Sequence, residues 1–177
     1  MYFIAFLLIA AGVVLLALWL FVTRQGDAQF SFLTEQRTPF SLDEATTGRA
    51  VFSCRIPFVN KGTQDGTIMD CYPRHLMPCE YYDGCHIESR LTIDSLRRQD
   101  GYWEANIVFK GTGDAVVLTL VMTAKDGDIV RALEGMPDMP VDIVYQVVAR
   151  ADWYITKTRL VVPAAELNTA LPSGSVQ

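Results

Sequence analysis

The sequence predicts an all-β fold, an antiparallel β-sandwich carried behind one N-terminal transmembrane helix. Three observations lead there. Residues 2–22 carry no charge. From Arg49 onward apolar and polar side chains alternate in short runs, the period of strands. Gly and Asp punctuate those runs, as turns require. At 177 residues the chain has room for one domain beside the helix.

The first run, "YFIAFLLIAAGVVLLALWLFV", occupies residues 2–22. At ~1.5 Å per residue such a helix spans roughly 30 Å, the hydrocarbon thickness of a bilayer. A helix satisfies its own backbone donors in lipid, so residues 1–23 read as a transmembrane anchor. Tyr2, Trp19 and Phe21 lie towards its ends, at the depth amphipathic rings prefer. A cleaved signal peptide would need a basic start, a shorter apolar core and a small-x-small site, and all three are missing. Arg24 and Arg37 follow the span and nothing basic precedes it, which points to a cytoplasmic domain. A sandwich on a single anchor is also a common extracytoplasmic design, so both sides stay open.

Residues 24–40 read as a juxtamembrane connector, with "QFSFL" a short strand within it. In "AVFSCRIPF", Phe52, Cys54, Ile56 and Phe58 share one face while Ser53, Arg55 and Pro57 share the other. Pro57 lacks an N–H for a ladder, which predicts an edge position or a bulge. "NKGTQDG" turns the chain into "TIMDCY", where alternation puts Ile68, Asp70 and Tyr72 on one face. Asp70 there is a structural hydrogen-bonding carboxylate rather than a general acid, because no second carboxylate stands beside it.

"QDG" at 99–101, "GTGD" at 111–114 and "KDGD" at 125–128 are hairpin signals. They predict a meander of strands near 86–96, 102–110, 115–124 and 128–133. In the second, Trp103, Ala105, Ile107 and Phe109 form one face opposite Glu104, Asn106 and Lys110. The third, "AVVLTLVMTA", is apolar on both faces apart from its threonines, as befits a central strand buried twice. After the loop "EGMPDMP", residues 141–162 read as two strands turning near Arg150–Asp152, or as one long bulged strand. "PAAELNTAL" starts on proline and reads as two helical turns. Residues 41–171 thus form the β-sandwich domain and 172–177 a flexible tail. About eight strands in this arrangement make a sandwich, immunoglobulin-like in general form, with a barrel as the alternative. Helical periodicity outside the anchor is too short for a Rossmann or TIM scaffold.

"CYPRHLMPCEYYDGCH", residues 71–86, holds three of the four cysteines and both histidines. Cys71, His75, Cys79, Cys85 and His86 are the right donors for zinc, but their spacing lacks the paired C-x2-C knuckles of structural sites. Cys85 and His86 are neighbours, so a strand would point them to opposite faces. Cys71, Cys79 and Cys85 are disulfide or redox candidates, with several pairings open, and Cys54 reads as a small buried hydrophobe. A Cys nucleophile with a His base lacks any hydrolase signature around it. The plainest reading is a turn-rich connection marked by Pro73, Pro78 and Gly84. Tyr81 and Tyr82 are candidate partner contacts, with one ring of such a pair commonly buried.

A net charge of −5 with scattered basic residues, Arg97-Arg98 being the nearest to a cluster, argues against nucleic acid. "GTGD" lacks phosphate-loop spacing, no calcium-loop pattern exists, and no cofactor motif is present. The expectation is a non-enzymatic, single-pass membrane protein that touches the membrane through residues 2–22 and binds a protein partner. The alternative is a redox- or metal-responsive module built on residues 71–86.

Overall fold

The computed structural model describes residues 2–96, 98 and 100–171. The tail at 172–177 and Arg97 therefore lie outside the described residues. The charge-free run forms α1 (Tyr2–Arg24), a helix long and apolar enough to span a membrane, and none of it is buried. The described residues after it fold as two antiparallel sheets packed face to face, with two further short α-helices.

The first sheet contains β1 (Phe30–Phe32), β2 (Ser41–Thr46), β3 (Arg49–Asn60), β5 (Cys85–Ile93) and β7 (Gly113–Ala124). Its order is β1-β3-β7-β5, with β2 also on β3. The second contains β4 (Gly66–His75), β6 (Asn106–Val108), β8 (Met139–Val148) and β9 (Tyr154–Val162), ordered β6-β4-β8-β9. The alternation in β3 is realised as expected, with Phe52, Cys54, Ile56 and Phe58 in the core. Each such fully buried large side chain contributes about 1.5–3 kcal/mol. β7 is central and buried twice: Val116, Leu118, Leu120 and Met122 face the core, and Ala115, Val117 and Val121 are buried on the outer side. β8 and β9 form the expected hairpin, and Pro163 caps the start of α3 (Ala164–Ala170).

Several expectations are corrected. Residues 128–133 are helical, not a strand: α2 (Ile129–Glu134) starts at Asp128, whose carboxylate accepts from Arg131 N. Its Ile129, Ala132 and Leu133 are buried at helical spacing. The meander is absent, because β5 pairs with β7 while β6 crosses to β4 in the other sheet. Gly101, Gly111 and Gly127 do adopt positive φ, at 69°, 70° and 81°, so the turns are real. They lead to new partners instead of back along the same strand. The face expected for Trp103–Phe109 is also broken. Trp103 and Val108 are buried, and Ile107 and Phe109 are exposed. The indole N–H of Trp103 donates to Ile68 O across 3.1 Å.

Pro57 lies within an internal strand, not at an edge. The interruption is in the neighbours: β1 covers residues 58–60 and β2 covers 49–53. Pro57 falls in the gap, where its carbonyl accepts from Leu33 N and no N–H is needed. Finally, a bulge between Ile68 and Asp70 shifts the phase of β4. Ile68 and Cys71 point inward, and Asp70 and Tyr72 are left exposed on the outer face.

Residues 24–40 do more than connect. Ala28, Phe30, Phe32 and Phe40 are buried in the sandwich core, and the Phe32 ring lies 4.7 Å from Tyr145 and 5.2 Å from Phe58. Arg37 makes a two-pronged bond to Glu166 of α3 at 2.8 and 2.6 Å. Glu166 also accepts from Phe40 N at 2.6 Å, which fixes this segment to the C-terminal helix.

Candidate functional site

The cysteine–histidine stretch is only partly gathered. Cys71 lies in the core, and burial first, then the Asp70 charge, push its thiol well above the ordinary range. Cys54 is also in the core, and burial raises it to about 12. His75, Cys79, Cys85 and His86 line one small pocket of about 210 Å³ with Tyr82 and Lys125. Cys79 is exposed there, whereas Cys85 is buried and its thiol is raised by burial. His86 is exposed at the rim of that pocket and lies 3.7 Å from Glu88. His75 is half-buried with its Nδ1 unpartnered. Burial lowers its pKa, against a bond to the Ile87 backbone, so the ring is neutral at pH 7.

All four cysteines are free thiols, and among the described residues no group of three or more donors is placed to hold a metal ion. The three buried thiols are protonated at neutral pH and make poor nucleophiles. Tyr82 is used in packing: its hydroxyl donates to Ala132 O at 2.6 Å and has Cys85 Sγ 3.5 Å away. Tyr81 remains exposed.

A second place is larger, and no local motif marks it. On the outer face of the first sheet an open cleft of about 660 Å³ runs across three adjacent strands. The ladder registers set its floor: Ser53, Thr119 and Arg90 form one row, and Val117 and Thr92 belong to the next. Val51 completes an apolar base, and Val51, Val117 and Thr92 are all under 10 % exposed although they stand outside the core cluster.

One wall is β2, where a bulge between Leu42 and Glu44 displaces Asp43 from the ladder. Its carboxylate accepts from Ser53 Oγ at 3.0 Å, and Glu44 pairs with Arg49 at 2.9 Å. The other side carries Arg90 and Arg98, the latter bonded to Asp100 and Glu104 and stacked 5.2 Å over Tyr102. Asp94 bonds Arg55 at 2.6 Å and Ser95 bonds Asp114 at 2.7 Å, which holds the turn after β5 against the sheet. Charged side chains that each have a local partner flank a floor mixing valines with Ser53, Thr92 and Thr119, an arrangement suited to a polypeptide segment with both polar and apolar groups. Thr119 was the available signal, as a polar residue on the outer side of a strand otherwise apolar on both faces.

No family model and no curated protein matches the sequence. Among solved structures, the GAE domain of yeast GGA1 is similar at 10% identity over 72% of this chain and 99% of that one, with a TM-score of 0.35. The structural genomics target SoR45 is similar at 10% identity over 77% and 86%, with a TM-score of 0.40. The GAE domain of GGA2p from Saccharomyces cerevisiae is similar at 9% identity over 71% and 98%, with a TM-score of 0.34. At these identities the likeness concerns architecture alone, and nothing about partners follows from it.

Proposed function

We propose that this chain is a single-pass membrane-anchored, non-enzymatic binding module that takes a segment of a protein partner in the cleft on its first sheet. The cleft itself carries the reading. Its floor sets Val51 and Val117 among Ser53, Thr92 and Thr119 on three paired strands, and the carboxylates of Asp43 and Glu44 on one side and the guanidinium groups of Arg90 and Arg98 on the other can orient an incoming chain. Tethering by α1 raises the effective concentration of any partner in the same membrane. Arg24 and Arg37 behind the span favour a cytoplasmic sandwich.

The test places a photo-crosslinking amino acid at the rim residue Glu44 of the full-length chain in its native membrane, and separately at Tyr81. One defined protein adduct from position 44, weakened by Asp43→Lys, is the expected result. Absence of an adduct at 44, or an adduct indifferent to Asp43→Lys, refutes the cleft. An adduct from position 81 alone moves the partner to the distal loop.

A redox-responsive role is the second reading, favoured by Cys79 and Cys85 lining one pocket. Under the first reading, replacing Cys71, Cys79 and Cys85 by serine leaves the position-44 adduct unchanged. Under the second, its response to oxidant disappears with them.

A further inference from the structure

The joint between α1 and the sandwich is bridged by hydrogen bonds from two loops. Arg150, in the turn between β8 and β9, donates to Val22 O at 2.7 Å and to Gln25 O at 2.6 Å, capping the open carbonyls of the helix end. Asp27 binds the same turn, accepting from Arg150 N and Ala151 N, each at 3.1 Å. The loop after β3 clamps the other side: Thr63 N donates to Asp27 O and Lys61 N to Gln29 O. Gly62 approaches so closely that a Cβ there would meet Asp27 O at 2.2 Å. No free linker separates helix from domain.

That joint fixes which end of the sandwich lies nearest the helix exit, and that end is apolar. Continuing the register of β8 and β9 past Val147–Tyr154 sets Val148 opposite Trp153, and Thr67 joins Val148 to Ile107 on the other side. Ile107, Val148, Trp153 and Ile155 thus share the outer face of the second sheet at its helix-proximal end, with Phe109 just beyond Ile107. Their exposures are 65, 38, 62, 59 and 61 % for Ile107, Val148, Trp153, Ile155 and Phe109. Singly exposed apolar side chains are ordinary, but contiguous rows of them mark a contact surface.

We infer that these five side chains form an interfacial foot that rests in the headgroup region of the bilayer crossed by α1. The inference rests on the reading of α1 as a membrane span. With residues 2–22 filling the hydrocarbon, Val22 O sits at its boundary and Arg150 at phosphate level. Trp153 is three residues further on, so at ~3.3 Å per extended residue it lies within about 10 Å of that level. An indole at that depth is a group the interface favours. The sandwich would then lie tilted onto its second sheet, leaving the cleft on the first sheet facing away from lipid.

The test uses full-length protein in phosphatidylcholine vesicles containing lipid doxyl-labelled near the headgroup, read by tryptophan emission. Trp103 is buried and gives the same background emission in each variant, so after its subtraction Trp19→Phe reports Trp153 and Trp153→Phe reports Trp19. The expected result is that shallow doxyl lipid quenches Trp153, with blue-shifted emission and loss of quenching by aqueous acrylamide. Replacing Ile107 and Phe109 by serine should restore acrylamide access to Trp153. If Trp19 is quenched by lipid while Trp153 stays open to acrylamide, the foot is wrong and the span stands. If neither is quenched, both fail. Protection of Trp153 that appears only at high protein-to-lipid ratio means that a second copy covers the face, and overturns the inference.

Discussion

Replacing Asn60 by alanine should destabilise the sandwich by about 2–4 kcal/mol, although the residue touches neither cleft nor membrane foot. Asn60 is fully buried at the end of β3. Its Oδ1 accepts from Gln29 N at 3.1 Å and Gly62 N at 3.0 Å, and its Nδ2 donates to Gln64 O at 2.9 Å and Val108 O at 3.2 Å. One amide therefore ties the segment leaving α1, the loop after β3 and the short strand β6. Each bond contributes about 1 kcal/mol net, and an acceptor left dry costs more. The Val108 carbonyl is the one whose bond is buried, whereas the Gln29, Gly62 and Gln64 groups can recover water. For a domain of this size the loss corresponds to a fall in Tm of roughly 10 °C. Asn60→Asp should cost at least as much, because a carboxylate keeps the two accepted bonds but faces two carbonyl oxygens with no hydrogen to offer. The assay is thermal unfolding of the full-length protein in detergent, followed by near-ultraviolet circular dichroism. A loss below about 1 kcal/mol for the alanine variant, or an aspartate variant as stable as the parent, would refute the account.

Stability should also fall in acid. Hydrogen bonds from Arg159 and then Lys157 hold the Asp142 carboxyl down at about 2 against burial, and Arg37 lowers Glu166 in the same sense. Folded values below unfolded ones mean that this stability is complete above an ordinary carboxylate pKa near 4 and is lost as pH drops towards 2. Urea midpoints should be flat from about pH 7 to 5 and decline below about pH 4, less steeply in Asp142→Asn, and an unchanged slope in that variant would count against the assignment. Maleimide should label Cys79 quickly in the native protein and Cys54, Cys71 and Cys85 only after unfolding, since burial covers these three and raises their pKa. An impermeant maleimide on intact and lysed cells then reads the side of the membrane. Labelling only after lysis agrees with a cytoplasmic sandwich, and labelling of intact cells reverses it.

Local signals in the chain were reliable wherever the deciding physics is local. The charge-free run at 2–22, the alternation through Phe52 and Phe58, the doubly apolar run at 115–124 and the proline before α3 each determine an element from its own residues. The turns at Gly101, Gly111 and Gly127 were equally legible, because a positive φ is a property of one residue. The strand that pairs after each turn was not legible in the same way. β6 leaves β5 and β7 to pair with β4, and residues 128–133 coil, although Asp128 and the spacing of Ile129, Ala132 and Leu133 were visible as helix signals. One bulge after Ile68 was enough to exchange the faces of Asp70 and Cys71, taking Cys71 away from the other thiols and histidines of its stretch. The cleft was beyond any local reading, since Val51, Thr119 and Arg90 meet only through two ladders that join distant segments. Dihedral preference and side-chain alternation are written within a few residues. Partner choice minimises unpaired backbone and exposed apolar surface over the whole chain at once, so only the folded structure decides which strands, and therefore which side chains, come together.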